Sequence, residues 1–252
     1  MSLRRTFADS MRDAWAVLFP VECAGCSADD RALCDECRVA LLPDVTVRSV
    51  GGALGQGQGL GQGHGPSAGG LRVHSGVRYE GRVRRVILAF KEQGRTDAAA
   101  ALARPLAAAV AAARIAAPAA ELLLVPSTRA AYRRRGYDPV RLLASRAHLT
   151  VSRELTQARS TGAQKTLDRE QRAANRVGAF RARRSLEGRT FIILDDVVTS
   201  GATLLEAARV VREADGEVLG AATLAFTPRL LPFRDIGLSL EYGNDKEAHK
   251  TA

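Results

Sequence analysis

Three short apolar runs constrain this chain most: "ELLLVPS" (121–127), "FIIL" (191–194) and "EVLGAATLAF" (217–226). Each is bounded by turn-forming residues or by a helical pattern, which predicts strands buried on both faces. A fourth run, "LRVHSGVRY" (71–79), alternates apolar and polar positions and predicts a further strand. Between these runs the apolar residues recur three and four apart. Val83, Val86, Ile87 and Phe90 mark a helix over 81–94, and an alanine-rich stretch marks one over 97–117. A third covers 138–149, with Asp138 as N-cap and Pro139 in its first turn. Leu204, Leu205, Ala208 and Val211 mark a fourth over 201–215. Strands alternating with helices predict an α/β domain over 71–228, a mostly parallel sheet with helices on both faces. Aromatic residues are only 5% of the chain, so Ala, Val and Leu must build most of its core.

All four cysteines lie ahead of that domain, in "CAGCSADDRALCDEC": Cys23, Cys26, Cys34 and Cys37. Two C-x2-C turns bring four thiolates to one point, the tetrahedral set that Zn²⁺ prefers. With four protein ligands no coordination position stays open, so the expectation is a small structural four-cysteine zinc module. Two disulfides or a thioredoxin-like redox pair are the alternatives. The expected organisation is an N-terminal helix and zinc module over 1–46, a glycine-rich linker over 47–70, the α/β domain over 71–228 and a polar tail over 229–252. The helix is marked by Phe7, Met11, Trp15, Leu18 and Phe19. No convincing targeting segment is seen, and the apolar stretch 99–120 is interrupted by arginines and prolines. A cytoplasmic chain without a membrane span is the expectation.

The strand 191–194 runs into "DDVVTSGAT" (195–203). In an open α/β sheet, ligands bind beyond the C-terminal ends of the strands. The start of the helix after such a strand offers unpaired N–H groups and a positive dipole to a phosphate. Thr199, Ser200 and Thr203 add hydroxyls, and Gly201 permits close backbone approach. Two carboxylates beside a phosphate site make sense when the ligand also carries hydroxyl groups, or brings Mg²⁺. Neither G-x4-G-K-[ST] nor G-x-G-x-x-G is present. A phosphorylated sugar is the ligand implied.

"ILDDVVTSGAT" resembles the 5-phosphoribosyl-1-pyrophosphate (PRPP) motif of type I phosphoribosyltransferases. "YEGRVRRVILAFKEQGR" (79–95), "VPSTRAAYRRRGYDPVRLLA" (125–144), "TGAQKTLDREQRAANRVGAF" (161–180) and the cysteine knuckle narrow the resemblance to the ComF family of competence proteins. The match covers most of 20–228 and leaves out the glycine-rich linker. It implies a type I phosphoribosyltransferase fold and an enzyme that takes PRPP with Mg²⁺. By that resemblance Asp195 and Asp196 contact ribose hydroxyls. Val197, Val198, Thr199, Ser200, Gly201, Ala202 and Thr203 complete the PRPP motif, with 199–203 cradling the 5′-phosphate. Ser127 and Thr128 correspond to a pyrophosphate loop, Arg133, Arg134 and Arg135 neutralise phosphate, and Lys165, on a flap, approaches the leaving group. One departure is Tyr137-Asp138-Pro139, where many relatives carry Phe-Asn-Gln.

Net charge is +10, and 129–184 alone holds fifteen Arg or Lys against four Asp or Glu. Such a segment suits a solvated surface, a polyphosphate or single-stranded DNA; Tyr132, Tyr137 and Phe180 are its only aromatics, which favours phosphate contact over base stacking. The competing function is a non-catalytic DNA-uptake accessory that holds single strands and docks a competence motor protein through its zinc knuckle.

Overall fold

The computed structural model describes residues 21–29, 31–51, 70–158 and 178–228. The expected N-terminal helix, nearly all of the glycine-rich segment, the flap with Lys165 and the polar tail lie outside the described residues.

The elements in chain order are α1 (Asp35–Ala40), β1 (Thr46–Val50), β2 (Leu71–Arg78), α2 (Gly81–Glu92), a 3₁₀ turn (Thr96–Ala98) and α3 (Ala99–Ile115). Then come β3 (Glu121–Leu124), α4 (Arg129–Arg135), α5 (Pro139–Arg146), β4 (Val151–Ser152), β5 (Leu155–Gln157) and β6 (Phe180–Ala182). β7 (Thr190–Val198), α6 (Ala202–Glu213) and β8 (Glu217–Phe226) complete the set. Six strands form one sheet in the order β1-β2-β8-β7-β3-β4. Every pair is parallel except β1 with β2. β5 and β6 form a separate antiparallel pair.

The sheet is buried on both faces, and the alternation of strand side chains sorts its residues into two cores. Leu122, Leu124, Ile192 and Leu194 pack with residues of α2, α3 and α5. Leu123, Phe191, Ile193 and Val218 pack with α6 and the β5–β6 pair. This is the expected mostly parallel sheet with helices on both faces. In its interior the Ser75 and Thr223 hydroxyls bond each other at 2.8 Å between β2 and β8, so neither is left unpaired.

The described part of the cysteine module is not separate from this body. Cys23, Leu33, Cys37 and Leu41 belong to the same core as Val83, Val86 and Ile87 of α2. A Cβ on Gly25 would meet Cys37 Sγ at 2.6 Å and Val86 Cγ2 at 2.9 Å, so the knuckle seats directly on α2 only because that position lacks a side chain. Arg95 donates to the carbonyls of Glu22 and Ala32. Arg82 pairs with Glu36 at 2.6 Å.

Several expected boundaries shift. The strand expected over 191–194 continues to Val198, so Asp195 and Asp196 belong to the strand itself rather than to the turn after it. Residues 47–50, expected in the linker, form most of β1, and β1 ends against the start of α6. The helix expected over 97–117 is α3, slightly shorter at both ends and running through Pro105. The span Thr96–Ile115 is long and apolar enough to cross a membrane by length and composition, but half of it is buried within the molecule. Its Leu102, Leu106, Ala109 and Val110 line the core.

Candidate functional site

β7 delivers Asp195 and Asp196 to the C-terminal edge of the sheet, both half-buried. Consecutive strand residues face opposite sides. Asp196 continues the Ile192 and Leu194 face, the one that carries α2, and there its Oδ2 meets Lys91 Nζ at 2.7 Å. The two side chains are 22% exposed for Lys91 and 19% for Asp196, so the pair is shielded enough to hold its geometry. The strand also bonds to its own acids: the Asp196 amide donates to Asp195 Oδ1 at 2.9 Å, and the Val197 amide to Asp196 Oδ1 at 2.6 Å. Both acids are thus fixed in direction before any ligand arrives.

Beyond Val198 the chain turns through Thr199, Ser200 and Gly201 into α6, which begins at Ala202. Gly201 is the N-cap at φ +76°, a left-handed conformation that favours glycine. A Cβ there would lie 2.8 Å from Val50 Cβ. Gly201 therefore brings the loop close to β1. Thr199 and Ser200 are exposed, and the amides of Thr199, Ser200, Gly201 and Thr203 find no acceptor among the described residues. The Ala202 amide has the Ser200 hydroxyl at 3.4 Å. This is a row of N–H donors at the positive end of a 12-residue helix, the arrangement that takes an oxyanion.

The second expected loop follows β3. Thr128 is the N-cap of α4, and its Oγ1 accepts from the Ala131 amide at 3.1 Å, so its hydroxyl oxygen already has a structural duty. Of the three consecutive arginines, Arg134 and Arg135 both pair with Glu92, at 2.6 and 3.2 Å. Arg133, with Ser127, instead faces a cavity of about 460 Å³. Asp138 caps α5 as expected, accepting from the Arg141 amide at 3.0 Å. Tyr137 packs against Phe90 with the rings tilted and their centroids 5.6 Å apart, and its hydroxyl donates to the Phe90 carbonyl.

The end of α2 thus joins both loops, Lys91 to β7 and Glu92 to α4. Neither residue was singled out by sequence reasoning. They sit on the polar side of an amphipathic helix, where periodicity carries no information. Their only sequence signal is that they fall within the stretch 79–95. The segment 159–177, which holds Lys165, is flanked by β5 and β6. The Ala158 amide donates to the Ala179 carbonyl at 2.9 Å, and the Gly178 amide to the buried Glu206 carboxylate at 2.7 Å.

The Sγ atoms of Cys23, Cys26, Cys34 and Cys37 all lie within 4.8 Å of one another. Tetrahedral thiolate ligation with metal–sulfur bonds near 2.3 Å needs sulfurs roughly 3.8 Å apart, so the set fits one ion after small adjustment. Cys26 and Cys34 come to 3.5 Å, far beyond a disulfide bond, and all four thiols are free. Burial raises the Cys23 thiol, but N–H groups of Cys34, Gly25 and Cys26 outweigh it and lower its pKa to about 6. Burial and the neighbouring sulfurs push Cys37 the other way. Crowded sulfurs that resist full ionisation by themselves are a donor set whose negative charge a dication relieves.

No curated protein matches the chain. The family model of the phosphoribosyl transferase domain matches residues 131–244, a stretch that takes in α5, the β5–β6 pair, β7, the loop before α6, and β8.

Proposed function

We propose that the chain is a ComF-type phosphoribosyltransferase that binds PRPP with Mg²⁺ and transfers its phosphoribosyl group to an acceptor. The observation that carries this is the row of amides at Thr199, Ser200, Gly201 and Thr203 that find no acceptor among the described residues, shortly after Asp195 and Asp196 and within the matched stretch. The amides and the hydroxyls of Thr199, Ser200 and Thr203 hold the 5′-phosphate, and the two carboxylates accept from ribose hydroxyls. Each carboxylate oxygen carries two lone pairs, so Asp196 can accept a ribose hydroxyl while it keeps Lys91. Ser127 and Arg133, at the loop after β3, face the pyrophosphate; Arg134 and Arg135 support that loop through Glu92. Lys165 approaches the leaving group from the segment between β5 and β6. Mg²⁺ enters with PRPP and supplies charge neutralisation at the pyrophosphate. Catalysis on this reading is positioning and electrostatic stabilisation of the departing group. The four cysteines hold a structural Zn²⁺ that fixes the knuckle on α2, and the protein works in the cytoplasm.

Calorimetry with PRPP and Mg²⁺, followed by detection of pyrophosphate release across candidate nucleophiles, tests the proposal. Saturable binding and acceptor-dependent release, both weakened in Asp195→Asn and Asp196→Asn, are the expected results. An absence of PRPP binding by the folded wild-type protein overturns it.

A further inference from the structure

Two adjacent carboxylates at a strand end would ordinarily attract a divalent cation, and the surroundings of Asp196 oppose one. Its Oδ2 lies 2.7 Å from Lys91 Nζ, with both groups largely shielded from water. Its Oδ1 takes the Val197 amide at 2.6 Å, so each oxygen of Asp196 already has a partner. Asp195 Oδ1 in turn takes the Asp196 amide at 2.9 Å. As consecutive strand residues the two acids turn to opposite faces, which does not suit a chelate. Each acid thus offers an ion a single carboxylate. Asp196 is on the face where α2 also reaches α4, through Glu92. It is the acid that a metal shared with the loop after β3 would use, and the ammonium is already there.

The structure also holds that ammonium in place. Lys91 lies in the last turn of α2, where the negative end of the helix favours a cation. Its two neighbours are fixed. Phe90 is buried and packs against Tyr137, and Glu92 pairs with Arg134 and Arg135. The side chain between them therefore leaves a backbone that does not shift easily. A divalent ion could reach Asp196 only by expelling the ammonium from this position or by sitting against a like charge. The ammonium also cancels one of the two negative charges of the pair, which eases the approach of an anion to the 199–203 loop beside it.

We infer that Lys91 is the resident cation of Asp196: it fills the place a divalent ion would take on the acids and keeps the pair closed to free metal. The inference deepens the proposed function at the same site. It rests on that reading for one consequence, that PRPP brings a single Mg²⁺ on its pyrophosphate end and no second ion settles on the acids. Lys91 is a positioning residue here, since it acts on the sugar through Asp196. The closure to free metal holds whichever ligand the 199–203 loop takes.

The test titrates the ¹⁵N-labelled full chain with Mn²⁺, whose unpaired electrons broaden nearby amide signals. The proteins are the wild type, Lys91→Met, Lys91→Gln as a second uncharged replacement, and Lys91→Met/Asp196→Asn, each checked for folding by a urea melt. In the wild type without PRPP, the amides of 195–198 should broaden no more than those beside an exposed acid such as Glu187. In the uncharged variants the Asp196 and Val197 amides should broaden about tenfold more at the same Mn²⁺, and the gain should vanish when Asp196→Asn is added. With saturating PRPP, electron paramagnetic resonance should count one Mn²⁺ per PRPP in the wild type and two in Lys91→Met. The inference is overturned if the wild type broadens at 195–198 as strongly as the variants, if the folded variants stay silent there, or if the gain survives Asp196→Asn. Two ions per PRPP in the wild type, or one in Lys91→Met, overturn it as well. A wild type that ignores PRPP while the PRPP-free titrations run as expected would sink the proposed function and leave Lys91 as the resident cation.

Discussion

Lys91 is the residue whose part is least visible in the sequence and most specific in the structure. Its ammonium holds Asp196 by a 2.7 Å contact and adds positive charge at the end of β7. A half-shielded pair of this kind contributes only about 0.2–1 kcal/mol to folding. Lys91→Met should therefore leave the denaturation midpoint almost unmoved while weakening PRPP binding about tenfold, a loss of about 1.4 kcal/mol in affinity. Calorimetry beside a urea melt separates the two effects. Gly201 behaves in the opposite way. Its φ of +76° and its contact with Val50 leave no room for a methyl group. Gly201→Ala should cost about 1–3 kcal/mol of stability from strain at a left-handed position, read from the same melt, and should distort the loop that follows β7.

At the scale of elements, α2 is the brace of the site, with the cysteine knuckle packed against one part of it and Lys91 and Glu92 reaching the two loops at its end. Cys37→Ser should abolish stoichiometric zinc and lower the melting temperature by about 10 °C or more, since each kcal/mol is worth roughly 2–4 °C in a chain of this size. Metal analysis and a thermal melt with and without chelator read both. On the other face three acids anchor elements. Glu121 meets Arg189, Glu154 meets Arg184 and Arg189, and the buried Glu206 meets Arg209 and the Gly178 amide. The guanidinium of Arg189 holds Glu121 below the usual carboxylate range, and Arg184 does the same for Glu154. For Glu206 burial works upward, but Arg209 and the Gly178 amide outweigh it and the net shift is down. A carboxyl lowered by folding stabilises above its unfolded pKa of about 4.3, and that stability is lost as pH falls through the folded value. The urea midpoint should accordingly be flat near neutrality and fall below about pH 4.5, and Glu154→Gln should make that fall shallower.

At the scale of the whole molecule, the parts legible in the sequence are those that burial alone decides. β3, β7 and β8 are covered on both faces, so their buried stretches must be apolar, and their alternation with helices follows from the apolar period around Val86 and Leu204 and from the Asp138–Pro139 helix start. α4 was not legible, because "RAAYRRR" buries no residue and has no apolar period to read. β1 and the short strands β4, β5 and β6 owe their pairing to neighbours distant in sequence. Asp195, Asp196 and the small residues after them could be recognised from their order, since strand end, loop and helix start are contiguous. The cavity after β3 could not, because it gathers arginines from 129 to 183 by folding, and a count of charges does not say which will be paired. The central claim concerns the loop between β7 and α6, and amide chemical shifts test it most directly. ¹⁵N-labelled protein is titrated with PRPP and Mg²⁺. The account predicts saturable shifts at the amides of Thr199, Ser200, Gly201 and Thr203, with smaller ones at Asp195 and Asp196. Silent amides in that loop, with PRPP bound elsewhere or not at all, would contradict it.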